Sequence, residues 1–333
     1  MKLPLLLRVL LWPLSVVYGG YVRVRAAFYA RGWLKQKRLR GKVISVGNLT
    51  VGGTGKTPMV LWLAGKFLAE GKRVAILSRG YRGSGGTSDE IELMKHRLQG
   101  QVAFGVGKDR FAEGHRLEEK QPIDLFLLDD GFQHLPLARD LDILMLDGTL
   151  KLKEQSLLPS GVLREPISAC PRADILVVTR KAERPDLGEG EARKYSIFLA
   201  ETRLLGFRSH AGPADLKHSS DIGHGPFFAF CGIGNPQAFF DDLSRWSIPI
   251  AGESIFRDHH RYTPADLLRL VKASQRAGAI AFVTTEKDAE NLKGIDAPAI
   301  PIFVAVIDFV LAAESEFLAT LERKLSSPHG APA

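Results

Sequence analysis

Residues 42–69 read KVISVGNLTVGGTGKTPMVLWLAGKFLA, and no other stretch of the chain restricts its fold as tightly. Lys42–Gly47 is a β-branched run of the kind that forms a buried strand. Thr57–Ala69 carries apolar residues at helical spacing. It opens on Thr57-Pro58, and proline is tolerated in a first turn, where N–H groups have no intrahelical acceptor. Strand, glycine-rich loop, helix is the context of a phosphate-binding loop: backbone N–H groups converge on an anion at the helix N-terminus. Gly52, Gly53, Thr54 and Gly55 supply that loop, Lys56 reaches the β/γ-phosphates, and Thr57 offers a hydroxyl to Mg²⁺. The pattern G-x-x-x-x-G-K-[ST] asks for glycine at position 50, where this chain has Thr50. That glycine matters less if the loop turns there by another route.

Further strand–helix alternation follows, with apolar runs at 73–77, 124–128, 141–146 and 174–178, and later at 227–234 and 281–285. Runs this apolar suit a parallel sheet covered by helices on both faces. The run at 124–128 ends in Asp129-Asp130, which places two acids at the carboxyl edge of the sheet beside the phosphate loop, where Mg²⁺ is held. A helix cap is the plainer reading of the same pair. Gln133 and His134 follow in the turn and are positioned to orient the second acid or to meet phosphate. The segment Ser78–Glu90 (SRGYRGSGGTSDE) is Gly-rich and basic at first, then ends in Asp89-Glu90. It suits an anionic group, with an acid at its end as general base, or a plain solvated loop. Phe256–Tyr262 (FRDHHRY) offers Asp258-His259-His260 as a ligand or acid–base group, although a capping turn before Thr263-Pro264 explains part of the pattern. Glu286-Lys287-Asp288 reads as a charged loop after a strand.

Charge is distributed unevenly. The net charge is +8, yet residues 1–42 carry ten Lys/Arg and no acid, the first acid being Glu70, so the rest of the chain is close to neutral. The same arm begins MKLPLLLRVLLWPLSVVYGGYV, strongly apolar but broken by Arg8, Pro4 and Pro13. No run of ~18–20 uncharged residues spans a bilayer. Gly19-Gly20-Tyr21 makes a poor signal-peptide cleavage site. The arm therefore reads as a segment lying in a membrane interface, apolar side in the acyl boundary and cations on lipid phosphates; a helix packed on the protein's own core is the alternative. Leucines add nothing to phosphate contacts, so nucleic acid is not an expected partner. Two distant cysteines, Cys170 and Cys231, offer neither a zinc site nor a disulfide framework.

Six motifs occur in order: GNLTVGGTGKTP, SRGYRG, DDGFQH, LPSGVLREP (158–166), F-x-D-H-H-x-Y and TTEKDA (284–289). Together they resemble the tetraacyldisaccharide 4′-kinase (lipid A 4′-kinase) family of Gram-negative bacteria. The resemblance implies ATP- and Mg²⁺-dependent phosphorylation of the 4′-hydroxyl of a tetraacylated glucosamine disaccharide 1-phosphate, at the cytoplasmic face of the inner membrane, by a monomer. It implies two α/β/α domains, the first P-loop-like with a mostly parallel sheet, preceded by a membrane-associated helical segment. The expected limits are 1–40 for the apolar and basic segment, 41–172 for the kinase domain, 173–325 for a smaller α/β domain and 326–333 for a loose tail. Carried over by motif, Lys56 contacts phosphates, Thr57, Asp129 and Asp130 form the metal site, and Asp89 is the base, paired with His259 rather than His260. Glu165 of L-R-E-P is a further candidate metal or nucleotide contact, and Arg79 or Arg110 would neutralise charge. The family's usual Gly and Pro flanking the Asp-Glu pair are Ser88 and Ile91 here, and Val162 stands for the proline of P-x-G-P-L-R-E-P.

Two other classes share the loop. Switch ATPases that position proteins on membranes carry K-G-G-x-G-K-T, whose first lysine reaches across a dimer; that position is Val51. NTPases that insert metals or cofactors want clustered Cys/His ligands, and the sequence shows none.

Overall fold

The computed structural model describes residues 4–80, 88–180, 195–212, 215–296 and 298–326. The chain forms two compact units. Unit 1 comprises 1–80, 98–201 and 310–333, and unit 2 comprises 81–97 and 202–309. A linear division at 172/173 does not follow these units. The strand that follows residue 173 belongs to unit 1, while the helix beginning at Asp89 belongs to unit 2.

In unit 1 the strands β1 (Lys42–Asn48), β2 (Val74–Ser78), β3 (Ala103–Val106), β4 (Leu125–Asp129), β5 (Leu141–Asp147) and β6 (Ile175–Thr179) lie in the order β3-β2-β4-β1-β5-β6. Every pairing among them is parallel. The first part of β7 (Ser196–Ser209) extends this sheet beside β6. All seven residues of β5 and all five of β4 are buried, the signature of strands covered on both faces. The helices α1 (Leu5–Ala30), α2 (Lys56–Ala69), α4 (Arg110–Lys120) and α8 (Glu314–Ser326) belong to this unit. Trp62 on α2 and Phe198 on β7 both meet the ring of the fully buried Phe317 on α8 edge-on. Ser326, the start of the expected tail, is the last residue of α8, and 327–333 lie outside the described residues.

The N-terminal segment is the 26-residue helix α1 with Pro13 inside it. It packs by one narrow stripe. Ser15 and Gly19 are buried, and a Cβ on Gly19 would stand 2.6 Å from Leu157, so only glycine lets the helix approach this closely. The Ser15 hydroxyl donates to Ser160 Oγ at 2.8 Å and accepts from the Ser160 N–H at 3.0 Å. Leu6, Val9, Leu10, Leu14, Val17 and Tyr21 stay exposed, Val17 by 71%. No described helix is long and apolar enough to cross a membrane.

In unit 2, β11 (Ile302–Leu311), β10 (Ala281–Thr285), β8 (Phe227–Cys231) and β9 (Ile250–Ile255) follow the second part of β7 in that order. Their pairings from β11 to β9 are parallel. Burial alternates along β9, as an edge strand requires, whereas β8 is buried throughout. The run expected to stay extended to Gly234 ends at Cys231, because the chain turns into α5 (Pro236–Arg245), capped by the Asn235 side chain. The helices α3 (Asp89–Leu98), α6 (Pro264–Arg276) and α7 (Glu286–Asn291) complete the elements that bear on function. The expected charged loop at 286–288 is instead the first turn of α7, since Thr285 caps it by accepting from the Asp288 N–H.

Candidate active site

The phosphate loop leaves β1 and enters α2. Gly55 is the N-cap of α2 with φ +84°, a left-handed conformation that favours glycine. No side chain caps this N-terminus among the described residues, so its N–H groups are available to an anion. Thr50 is extended, not turned. It forms a β-bridge with Leu163, while Val51 N–H donates to Val162 and Arg164 N–H donates to Leu49. The L-P-S-G-V-L-R-E-P segment thus props the loop as an added strand, which is why no glycine is needed at position 50.

Parallel pairing of β1 with β4 aligns Val46 with Asp129 and delivers both acids beside the loop. Gly47 makes room for them: a Cβ there would come within 2.5 Å of Phe132 in the D-D-G-F-Q-H turn. Asp129 is buried and accepts from Ser78 Oγ at 3.3 Å. Asp130 sits at φ +52°. Its carboxylate lies 3.6 Å from Lys56 Nζ and accepts from Arg164 Nη1 at 2.7 Å. Burial alone would raise the Asp130 pKa, but the charges of Lys56 and Arg164 outweigh it and hold the carboxyl below its ordinary range.

The remaining expected residues of unit 1 divide. Gln133 Nε2 donates to the Asn48 carbonyl at 2.9 Å, tying the turn to β1. His134 is half-buried, and desolvation, reinforced by Arg110 and Arg139, pushes its pKa down to about 4. Arg110 is buried at the start of α4 and donates to Lys108 O, so it is part of the framework. Arg79 follows β2 and is exposed. Glu165 was expected with the metal, but both its oxygens are taken by Arg172, at 2.6 and 2.9 Å, and it is buried. Its neighbour Arg164 is the charged residue of L-R-E-P that reaches Asp130. Sequence reading missed it by one position, because alternation along an extended segment decides which side chain faces the loop. Helix α1 touches both this segment and the D-D-G-F-Q-H turn: Tyr18 donates to the Arg164 carbonyl at 2.8 Å, and Arg25 to the Gln133 carbonyl at 3.2 Å.

The second cluster lies wholly within unit 2. Asp89 is the first residue of α3, and Tyr81–Thr87 before it lie outside the described residues. His259 Nδ1 stands 2.7 and 3.0 Å from the two Asp89 oxygens. Asn291 Nδ2 donates to Asp89 Oδ2 at 3.0 Å, and Glu90 N–H to Oδ1 at 3.0 Å. Burial opposes the charge on Asp89, but hydrogen bonding from His259 and the charge of Lys287 leave its pKa below the ordinary value. Asp89 is therefore ionised, which makes Nδ1–H of His259 the donor. The hydrogen bond to Asp89 raises the His259 pKa, against burial and Lys287. His259 holds φ +60°, costing about 1–3 kcal/mol of backbone strain, and its N–H donates to Gly232 O. His260 does other work. Its Nε2 lies 3.1 Å from Asp266, the residue that closes the capping box of α6 with Thr263. Of the two histidines of F-R-D-H-H-R-Y, one therefore meets the Asp89 carboxylate and the other the α6 cap.

One buried acid secures this cluster. Asp288, with 0% exposure, accepts from Gly232 N–H at 2.7 Å, Tyr262 OH at 2.8 Å and Thr285 Oγ1 at 2.6 Å. Arg97 on α3 clasps Glu286 on α7 through two hydrogen bonds. Lys287 and Asp288 had only the T-T-E-K-D-A motif as a signal, without a hint of what they touch, and Asn291, two residues beyond the motif, had none.

Comparison with known proteins decides the family. The model for Tetraacyldisaccharide-1-P 4'-kinase matches residues 7–326. The chain belongs to that family. It is 39% identical over 323 residues to the tetraacyldisaccharide 4'-kinase of Geobacter metallireducens, covering 91% of this chain and 94% of the relative. With that of Desulfotalea psychrophila it shares 34% identity over 319 residues, covering 88% and 90%. Among solved structures, "apo" form LpxK from Aquifex aeolicus in complex with ATP superposes with a TM-score of 0.75 at 32% identity, covering 96% of this chain and 99% of that one. The family membership makes the chain a kinase.

Proposed function

We propose that the chain transfers the γ-phosphoryl group of ATP to the 4′-hydroxyl of a tetraacylated glucosamine disaccharide 1-phosphate, giving the 1,4′-bisphosphate, at the cytoplasmic face of a bacterial inner membrane. Family membership supports the substrate and the reaction. The observation that carries the mechanism is the buried Asp89 carboxylate held by His259 at 2.7 Å, in a chain that also bears an uncapped phosphate loop.

The N–H groups at the start of α2 and the Lys56 ammonium bind the nucleotide phosphates. Lys56 now faces Asp130, so phosphate replaces a carboxylate as its partner. Thr57, Asp129 and Asp130 form an all-oxygen donor set, which fits a hard cation that keeps several waters and takes phosphate oxygens as well. Mg²⁺ bound there would neutralise charge on the transferring phosphate.

A sugar hydroxyl is a poor nucleophile, but a loose phosphoryl-transfer transition state asks mainly for alignment and charge neutralisation. Asp89 takes the hydroxyl proton as the new O–P bond forms and the bond to ADP breaks. His259 keeps that carboxylate oriented and ionised, and the two titrate as a pair. The Asp89 side chain is 4% exposed, so the incoming hydroxyl takes the place of one of its present donors.

The exposed apolar face of α1, above a basic arm, supports contact with lipid. Because α1 also braces Arg164 and Gln133, point changes on its outer face test this better than deletion does. Leu10→Asp with Val17→Asp should release the chain from anionic vesicles while leaving nucleotide binding intact; undiminished partitioning would refute lipid contact by that face. The reaction itself is tested by transfer of labelled phosphate from ATP to tetraacyldisaccharide 1-phosphate in detergent, against water and a soluble sugar as acceptors. Transfer confined to the lipid is expected, and equal transfer to water or sugar would overturn the assignment.

A further inference from the structure

Lys287 stands on the first turn of α7 with its side chain 15% exposed, and four groups converge on its ammonium. Glu90 Oε1 and Asp258 Oδ1 each lie 3.2 Å from Nζ, His259 Nε2 lies at 3.5 Å, and Asp89 Oδ2 at 3.9 Å. An ammonium has three donors and no lone pair. The Nε2 that faces it therefore carries a lone pair, while Nδ1–H points at Asp89. A second proton on His259 would have to enter between the ammonium and Asp258, whose Oδ2 lies 3.6 Å from Nε2; of these two opposed charges the ammonium weighs more on the imidazole.

We propose that Lys287 is a positioning residue for the base: its ammonium opposes a second proton at Nε2 of His259, favours the Nδ1–H tautomer against Asp89, and so keeps the pair able to accept a proton. This rests on the reading of Asp89–His259 as the base. The surroundings are consistent with it. Glu90 and Asp258 balance the ammonium so that it stays charged despite burial, and its pKa is raised. Of the other charged groups nearby, Glu286 is held by Arg97, Asp288 accepts from three neutral donors, and His260 is turned to Asp266. Asn291, the remaining donor to Asp89, is neutral. Lys287 is thus the cation that touches both members of the pair in the described structure.

A cation removed from beside both groups makes each easier to protonate, which switches the base off at higher pH. In Lys287→Gln, the acid limb of kcat/KM for the lipid should move up by about one pH unit or more. The loss should be deep on the acid side of neutrality and shallow on the alkaline side. Lys287→Arg, which keeps the charge, should return the limb close to its original place. A brace without an electrostatic role would lower the rate equally at every pH. Nitrogen NMR of the His259 imidazole in the full chain reads the same effect without turnover: Lys287→Gln should raise its titration midpoint and weaken the preference for the Nδ1–H tautomer. An unmoved acid limb, or an unmoved imidazole titration, in folded Lys287→Gln overturns the proposal. Failure of the base reading looks different: Asp89→Asn and His259→Ala would then keep near-normal kcat, whatever Lys287→Gln does.

Discussion

The phosphate loop and the acid–base cluster are built in opposite ways. Residues 52–57 are consecutive and hang between a buried parallel strand and a helix, so local sequence carries nearly the whole site. The cluster around Asp89 draws on α3, on the turn at 257–260 and on α7, brought together by Asp288 and the Arg97–Glu286 clasp. Each site holds one non-glycine residue in the left-handed region, Asp130 in the first and His259 in the second. Strain of that kind persists only where surrounding contacts over-determine it. The difference teaches where each site is vulnerable: the loop through its own side chains, the cluster through residues that touch no substrate.

Activity gives the largest contrast. Asp89→Asn should lower kcat by about 10²–10⁴-fold with little change in KM for ATP, since it removes a proton acceptor and leaves the nucleotide grip alone. Lys56→Ala should lower kcat by about 10²–10³-fold and also raise KM for ATP. Steady-state kinetics with each substrate varied decides this, and the same parameter pattern from both variants would erase the division of labour. Within the cluster, His259→Ala should cost about 10²-fold in kcat, whereas His260→Ala, which loses a bond to the α6 cap and ring contacts with Phe256 and Tyr262, should stay within tenfold. Comparable losses from the two histidines would break the assignment of separate tasks to them.

Stability sharpens the contrast further. Asp288→Ala orphans buried donors on Gly232 and Tyr262, at about 1–3 kcal/mol each. Urea unfolding should show that loss, with kcat falling alongside it because Lys287 and the 257–260 turn lose their common anchor. Unchanged unfolding would mean that Asp288 is not what secures the cluster.

What could be read from sequence follows the same line. The loop, the strand ending in Asp129-Asp130 and the alternation of strands and helices are patterns of period and adjacency, and all are present as expected. The Asp89–His259 contact spans 170 residues and came from a family resemblance, not from spacing. Arg164 and Glu165 show why neighbours are hard to separate: they are adjacent in one short motif, yet one faces Asp130 and the other Arg172. Lys287 was invisible because a Glu-Lys-Asp run reads as solvated, and only the packing of α7 beside α3 turns its ammonium inward.

Acid titration offers the subtlest test, with opposite signs in the two units. His134 in unit 1 has its pKa lowered from 6.5 to about 4, by burial first and then by Arg110 and Arg139. Its unfolded form binds a proton over that window while the folded form does not, so stability is full above 6.5 and falls as pH drops towards 4. His259 in unit 2 has a raised pKa through Asp89, so its contribution is full below the unfolded value and fades as pH rises through the folded one. Mild acid should therefore loosen unit 1 before unit 2, which hydrogen exchange measured at neutral and mildly acid pH can follow strand by strand. His134→Gln should flatten the acid loss in β1 and β4 and leave β8 and β10 unaffected. An acid loss in β1 and β4 that is the same in His134→Gln as in the parent chain would show that another group drives it.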